Sequence, residues 1–450
     1  MLKKILIANR GEIAVRIIRA CRELGISTVA IYSEADKYAL HTQMADEAVC
    51  VGGPQSKDSY LNMTNILSAC VLTGCEGIHP GFGFLSENPK FAKMCEECNI
   101  KYIGPDYKII ELMGNKAKAR EVMKKANVPV VPGYEGEITS VSQALEIAKE
   151  IGFPVMIKAA AGGGGKGIRI VNEEGEFEHN YNAAKLESKA CFSDDRIYIE
   201  KFIQKPRHIE FQILADEYGN TIHLGERECS LQRNNQKVLE EAPSTFLNPK
   251  LREKMGEVAK CAAKAVNYKN AGTIEFLVDK DCNFYFMEMN TRIQVEHPIT
   301  EMVTGVDIVK EQLKIASGKK LDLIQDDICI SGNAIECRIN AEDTDNNFRP
   351  SPGLIKELYI PSGPGVRVDS AIYSGYEIPP YYDSMIGKMI TYGATRDEAI
   401  IKMKRALGEF AIGGVKTNID FQYSILNNRD FVKGNYDTSF IVEKLVRNNA

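Results

Sequence analysis

The sequence predicts an α/β fold that gives way to an α+β one, and three observations carry the prediction. Residues 1–113 alternate short apolar runs with amphipathic helical patterns, as a parallel sheet with crossover helices requires. The middle of the chain carries paired β segments, and residues 331–445 become β-rich. At 450 residues the chain exceeds what one core supports, so two or three domains are expected.

Composition sets the outer limits. With 44% hydrophobic and 26% charged residues, the chain reads as an ordinary globular protein. A net charge of −5 argues against a general nucleic-acid binder. No apolar run reaches membrane-spanning length, and Met1–Asn9 is too short for a signal peptide, so it reads as a first strand. Cys95 and Cys98 lack a second ligand pair, and all 12 cysteines are expected to be reduced thiols of a cytoplasmic chain.

In chain order, Ile5–Ala8, Thr28–Tyr32 and Ala48–Val51 read as strands, and Glu12–Leu24, Ser59–Val71 and Asn88–Cys98 as helices. The turn Asn9-Arg10-Gly11-Glu12 follows a strand and opens a helix, but it lacks a dinucleotide fingerprint. His79–Phe84 is a glycine-punctuated loop at a strand's carboxyl end, where open α/β sheets bind ligands. A single helix is expected over Asp106–Asn127. Its VMKK segment, Val122–Lys125, is no biotin-attachment hairpin because it lies in a helical pattern.

Residues 128–205 read as a small α/β unit. Strand Val155–Lys158 leads into Ala159–Gly167, AAAGGGGKG, which is not a Walker A loop. Its consecutive glycines expose backbone N–H groups that can wrap phosphate oxygens, so a phosphate lid is expected. Arg196–Ile203 is a strand running into a hinge, followed by β segments His208–Ala215 and Thr221–Glu226. Most charge runs are solvated faces. The run Glu226–Glu241 lies between sheet segments, however, and Lys237 is its best candidate for a cleft, with Cys229 read as packing. Asn248–Val266 reads as a helix, and Thr273–Val278, Asn333–Ala341 and Met385–Tyr392 as strands, with a helix over Arg396–Phe410.

The chemistry concentrates in Phe284–His297, FYFMEMNTRIQVEH. If the backbone stays extended, Glu288, Asn290, Arg292, Gln294 and Glu296 share one face and Met287, Met289, Ile293 and Val295 the other. Carboxylate and carboxamide suit a hard cation, arginine and glutamine a planar oxyanion, and the last carboxylate a base. A hairpin with Thr273–Val278 would bring Glu275 near Glu288, a repulsion that a cation relieves. Arg338, sharing a strand face with Glu336 and Asn340, could reach the same cleft.

These segments together resemble one family. Ile7–Ala14, His79–Asn88, Gly162–Gly167, Glu240–Pro243, Phe286–Glu301 and Pro379–Lys388 make the chain similar, along its whole length, to the biotin carboxylase subunits of bacterial acetyl-CoA carboxylase, which are ATP-grasp enzymes. The resemblance implies a Rossmann-like domain (1–113), an ATP-grasp domain (114–330, lid about 130–203) and a β-rich C-terminal domain (331–450). It implies that ATP and bicarbonate carboxylate biotin through carboxyphosphate, the first half-reaction of malonyl-CoA synthesis. It assigns ATP to Lys116, Lys158, the lid Gly162, Gly163, Gly164, Gly165, Lys166 and Gly167, then Ile168, Glu200, Lys201, Ile203, His208, Gln232 and Leu277. Two Mg²⁺ or Mn²⁺ ions fall to Glu275, Glu288 and Asn290, and bicarbonate to Arg292, Gln294 and Val295. Glu296 becomes the base, Arg338 and Lys237 stabilise charge, and Phe82, Gly83 and Arg338 face biotin. The partners implied are a biotin carboxyl carrier protein, carboxyltransferase subunits and a second copy of the chain through Arg19, Glu23 and Arg367. The chain ends without a carrier region, so it is expected to act on a separate biotinylated protein or to be part of a longer carboxylase. Asn235, Phe82 and Pro364 depart from the family pattern, at positions where histidine, tyrosine and phenylalanine are common. Another ATP-grasp ligase, or an ATP-binding regulator without catalysis, would not need Arg292–Glu296 and Arg338 together.

Overall fold

The computed structural model describes residues 1–134, 136, 138–159, 168–192 and 197–446, with backbone alone at 159, 168, 190–192 and 446. Chain contacts divide it into two compact units. One comprises 1–128, 207–276 and 288–450, the other 129–206 and 277–287.

The first unit begins with a five-stranded parallel sheet, β1 (Lys4–Ile7), β2 (Ser27–Ser33), β3 (Glu47–Gly52), β4 (Gly77–His79) and β5 (Lys101–Tyr102), in the order β3-β2-β1-β4-β5. Ile5 aligns with Thr28 on one side and Gly77 on the other. Helix Gly11–Glu23 buries Ile13, Ala14, Ile17, Ile18 and Cys21, the three-to-four spacing of one helical face. The helix expected over Asp106–Asn127 is two helices, Tyr107–Gly114 and Lys116–Lys125. Asn115 divides them: its backbone is extended, and its side chain caps the Lys118 N–H. The helix expected from Ser59 starts at Met63, because Asn62 caps the Asn65 N–H there. Val122–Lys125 is helical, as the periodicity required.

The second unit carries an antiparallel sheet of β6 (Gly133–Tyr134), β7 (Val155–Ala159), β8 (Ile168–Val171) and β9 (Ile197–Lys201), in the order β6-β9-β7-β8. Helices Val141–Ile151 and Phe177–Phe192 bury Ile147, Phe177 and Tyr181 with Val155, Ile157 and Ile199.

An eight-stranded sheet organises the rest. It contains β10 (Arg207–Ala215), β11 (Thr221–Arg233), β12 (Gln236–Ala242), β13 (Asn270–Val278), β14 (Phe284–Asn290) and β15 (Asn333–Asn340). Its order is β14-β13-β10-β11-β12-β15, followed by strands Met385–Gly393 and Val366–Ser370. The sheet therefore runs from the middle of the chain into the C-terminal region without a break, through the register Glu240↔Glu336. The charge run Glu226–Glu241 is neither loop nor solvated face. It is a hairpin in which Arg233 pairs with Gln236 around Asn234 and Asn235, both at positive φ. Asparagine tolerates that backbone better than most residues, which accounts for Asn235 locally. Glu226, Arg227, Glu228, Glu240 and Glu241 are all buried.

Arg227 is the pin of this sheet. It is 0% exposed. Its guanidinium donates to Glu210 Oε1 (2.6 Å), Gln212 Oε1 (2.8 Å), Thr300 Oγ1 (3.0 Å), Thr273 Oγ1 (3.1 Å) and Gln294 Oε1 (2.6 Å). Five donors meet acceptors on β10, β13, the segment after β14 and the helix His297–Thr304. Replacing Arg227 with methionine should destabilise the protein by about 3–5 kcal/mol, because it leaves buried acceptors and the Glu210 charge without this partner. Thermal and urea unfolding would check this, and an unchanged midpoint would refute it.

Candidate active site

Lys237 on β12 gathers acids from two strands and from the turn before helix His297–Thr304. Its ammonium donates to Glu210 (2.5 Å), Glu275 (3.1 Å) and Glu296 (2.6 Å). Burial alone would lower the Lys237 pKa, but the Cys229 thiol and these three carboxylates raise it well above its ordinary value. Burial likewise would raise Glu296, yet Lys237, Arg338 and Arg227 hold its carboxyl below the usual range. Glu275 is also lowered, since Lys237 and His208 outweigh its burial.

The polar row converges by a different route from strand alternation. Strand β14 ends at Asn290, and Thr291–Glu296 turns into helix His297–Thr304 with Glu296 at φ −80°. A single extended face from Glu288 to Glu296 is thus not formed. The reason is local: Glu296 opens a helix with Pro298 in its first turn. The turn still delivers the groups. Gln294 Nε2 donates to Glu275 Oε1 at 2.6 Å, and Asn290 Nδ2 donates to the same oxygen at 2.7 Å. Arg292 donates to Glu87 Oε2 (2.9 Å) and Asn290 Oδ1 (3.0 Å). The Val295 carbonyl accepts from Lys388 at 2.5 Å. On the apolar side Ile293 and Met289 are buried, but Met287 is exposed.

Arg338 enters from β15. It donates through Nε to Glu240 Oε1 (2.7 Å) and through a terminal nitrogen to Glu296 Oε2 (3.0 Å). The glycine loop after β4 is pinned elsewhere in the unit: Asn9 Nδ2 donates to the carbonyls of Pro80 and Phe82, both at 2.7 Å. Gly81 has φ +62°, and an added Cβ would lie 2.9 Å from Asn9 Nδ2, so glycine is required there. Gly83 is exposed, and Phe82 packs half-buried with its ring 5.9 Å from the Lys388 ammonium. The Asn9–Glu12 turn is occupied by structural contacts: Asn9 holds the loop, Arg10 forks onto Asp36, and Glu12 pairs with Lys388 at 3.2 Å.

The donors for a hard cation are two carboxylates and a carboxamide. Burial and Glu275 together raise the Glu288 carboxyl. Its cation, Lys116, is 3.8 Å away on a side chain 88% exposed. That repulsion, loosely answered, is what a divalent ion on Glu275 and Glu288 would relieve, and the oxygen donor set fits it. Two other groups among the described residues have ligand atoms within 4.8 Å of one another. They are His208, Glu210 and Glu275, and Glu210, Cys229 and Glu296. Lys237 bonds Glu210, Glu275 and Glu296 among them. His208 Nε2 lies 2.9 Å from Glu275 Oε2, and its Nδ1 is 2.8 Å from Gln232 Nε2.

In the second unit, Lys158 is bonded to Glu200, and Lys201 donates to the carbonyls of Gly152 (2.8 Å) and Phe153 (2.9 Å). Ile203 is buried and Leu277 half-buried. The lid residues Gly162–Gly167 lie outside the described residues, as does the side chain of Ile168.

Sequence reading missed Glu210, Arg227, Glu240 and Glu87. Glu210 stands between Ile209 and Phe211, an available signal, whereas Arg227 and Glu240 lie in the charge run 226–241, which hid them. Glu87 follows the glycine loop and gave none.

The chain matches family models along most of its length. These are the biotin carboxylase N-terminal domain (residues 1–110), the carbamoyl-phosphate synthase L chain ATP-binding domain (115–324) and the biotin carboxylase C-terminal domain (336–443). It is 60% identical to biotin carboxylase 1 of Bacillus subtilis, covering 98% of both chains. It is 59% identical to the biotin carboxylase of a Nostoc species, again covering 98% of both chains. Among solved structures, it is similar to the biotin carboxylase domain dimer of Hydrogenobacter thermophilus 2-oxoglutarate carboxylase with MgADP, ADP and bicarbonate. That similarity has a TM-score of 0.89, with 53% identity and 98% coverage of both chains.

The Lys237 cage has a pH signature. Carboxyls lowered by Lys237 stabilise the fold above their ordinary value of about 4.3, and this contribution is lost as pH falls through the depressed folded value. Lys237→Met should therefore lower the melting temperature most near neutral pH, with the difference from wild type shrinking below about pH 4.3. A pH-independent difference in calorimetric midpoints would refute the cage.

Proposed function

The chain belongs to the biotin carboxylase family of ATP-grasp enzymes, and we propose that it carboxylates carrier-bound biotin through the constellation centred on Lys237, Glu296 and Arg338. The reaction is ATP-dependent carboxylation of biotin with bicarbonate. One observation carries the assignment of residues: Glu296 is hydrogen-bonded at once to Lys237 and Arg338, and Lys237 shares the Glu275 carboxylate with Gln294.

Bicarbonate binds to Arg292, Gln294 and the Val295 main chain. Arg292 exchanges Glu87 for the incoming anion, a bidentate partner of the same shape. Glu296 held below the ordinary carboxylate range is a weak base. Its proton affinity rises when Lys237 turns from it toward the negative charge of the substrates. Glu296 then takes the bicarbonate proton. The bicarbonate oxygen bonds to the γ-phosphorus, the bond to the bridging oxygen breaks, and ADP departs. Lys237 balances the charge that develops on the transferring group. Carboxyphosphate splits into CO₂ and phosphate, phosphate takes the N1′ proton of biotin, and N1′ bonds to CO₂. Arg338 meets the negative ureido oxygen, beside Phe82 and Gly83.

Glu275, Glu288 and Asn290 would hold Mg²⁺, which supplies charge neutralisation at the ATP phosphates. Lys116, His208 and Gln232 serve the nucleotide from the first unit. Nucleotide roles are proposed for Lys158, Glu200, Lys201, Ile203 and Leu277 as well. For Gly162–Gly167 and Ile168 the proposed role, read from residue type, is to supply N–H groups to the phosphates and to keep water from carboxyphosphate.

The proposed setting is a cytoplasmic acetyl-CoA carboxylase, with a biotin carboxyl carrier protein and carboxyltransferase as partners. No helix among the described residues is long and apolar enough to cross a membrane. A homodimer contact is proposed on the face holding Arg19, Glu23 and Arg367, where Arg367 donates to Glu301 at 2.7 Å, while Pro364 is exposed beside it.

Bicarbonate-dependent ATP hydrolysis should be stimulated by free biotin. No stimulation would favour another ATP-grasp ligase. Glu296→Gln should lower kcat by about 100-fold or more while ATP binding, followed by calorimetry, stays near wild type. An ordinary kcat would remove Glu296 as the base. Arg338→Gln should slow biotin carboxylation more than bicarbonate-dependent ATP cleavage, and equal losses would refute its place at biotin.

A further inference from the structure

Two buried acids behind Arg338 have no part in the reaction described above. Glu240 and Glu336 stand directly opposite each other in the antiparallel register of β12 and β15, and both are 0% exposed. Side chains at opposed positions leave the same face of the ladder. Glu240 Oε1 accepts from Arg338, but Glu240 Oε2 and both oxygens of Glu336 meet no hydrogen-bonding partner among the described residues. Buried acceptors left this way are costly. A carboxyl group, unlike a carboxylate, can also donate.

The surrounding charges lead to the same place. Facing the pair are Arg338 on β15, Lys237 on β12, Glu296 from the turn before its helix, Lys388 on the neighbouring strand, and the buried thiols of Cys229 and Cys337. Lys237 is taken by Glu210, Glu275 and Glu296, and Lys388 by Glu12 and the Val295 carbonyl. Among the described residues, the one cation hydrogen-bonded to either member of the pair is the Arg338 guanidinium, which it shares with Glu296.

We propose that Glu240 and Glu336 share one proton, and that the single negative charge remaining on the pair fixes the Arg338 guanidinium for biotin, making Glu240 a positioning residue. Burial pushes the Glu240 carboxyl up to about 7 and Glu336 well above its ordinary value, in keeping with a shared proton. The device matters during turnover, and here it rests on the function proposed above. When Glu296 accepts the bicarbonate proton it loses its charge, and with it half of the grip on Arg338. Glu240 keeps the other half. The Arg338 main chain does not change, because its carbonyl accepts from Asn418 (3.0 Å) and Gln422 (2.9 Å). The side chain would otherwise be released just as biotin needs it.

Glu240→Gln retains an oxygen for Arg338 and removes the charge. In the full-length protein it should lower kcat for biotin carboxylation by about tenfold or more, while bicarbonate-dependent ATP hydrolysis without biotin stays within about threefold. Equal losses in both assays would mark a structural role and overturn the proposal, as would no loss in either. Absence of biotin stimulation in the wild type would count against the proposed function instead. The shared proton has its own readout: an infrared difference spectrum, wild type minus Glu336→Gln, near neutral pH. A protonated-carboxyl band present in the wild type supports the pair, and its absence overturns it even where Glu240→Gln does not fold.

Discussion

A guanidinium sealed inside a sheet is the constraint on which the site depends. Arg227 donates five hydrogen bonds to groups from β10, β13, the turn after β14 and the helix beyond it. It joins the wall that carries Glu210 and Thr273 to the turn that carries Gln294. Around it the acids outnumber the cations, and Lys237 supplies the next positive charge one layer nearer the cleft. Geometry and charge are therefore set by the same contacts. A buried ion pair of this kind contributes little net stability but permits very few alternative arrangements.

The first sheet adds a fixed floor in the same spirit. The Asn9 carboxamide spans from the end of β1 to the loop after β4, and the neighbouring parallel strands place the two within reach. Lys388 ties the turn at Val295 to Glu12 on the first helix. Residues distant in sequence are thus held by main-chain acceptors and buried acids, and no long side chain has to find its place unaided.

The parallel sheet was legible because period-two and period-3.6 patterns follow each other cleanly through residues 1–113. The stretch Phe284–His297 was legible in its residue types, not in its shape. Glu296 and Asn290 both lie in the constellation, yet the path between them is a turn, because the helix that begins at Glu296 takes precedence over extension of β14. The break at Asn115 was missed since an asparagine within a good helical period reads as helix until its capping role is known. The hairpin at Asn234–Asn235 was hidden by its charges, which sequence reasoning expects in water. Glu240 was hidden for the same reason: only strand pairing shows that it faces inward.

The ammonium at the centre of the acid cage has a consequence for ion discrimination. Each carboxylate in the cage already hydrogen-bonds to the Lys237 ammonium, and outside the cage Glu87 already occupies Arg292. On the function proposed above, an entering anion would replace a resident carboxylate, as Glu87 on Arg292. Halides are spherical and accept hydrogen bonds weakly, so they compete poorly against a planar two-oxygen acceptor, whereas a planar oxyanion reproduces the shape it displaces. Selectivity then arises from competition with the protein's own side chains and requires no narrow entrance.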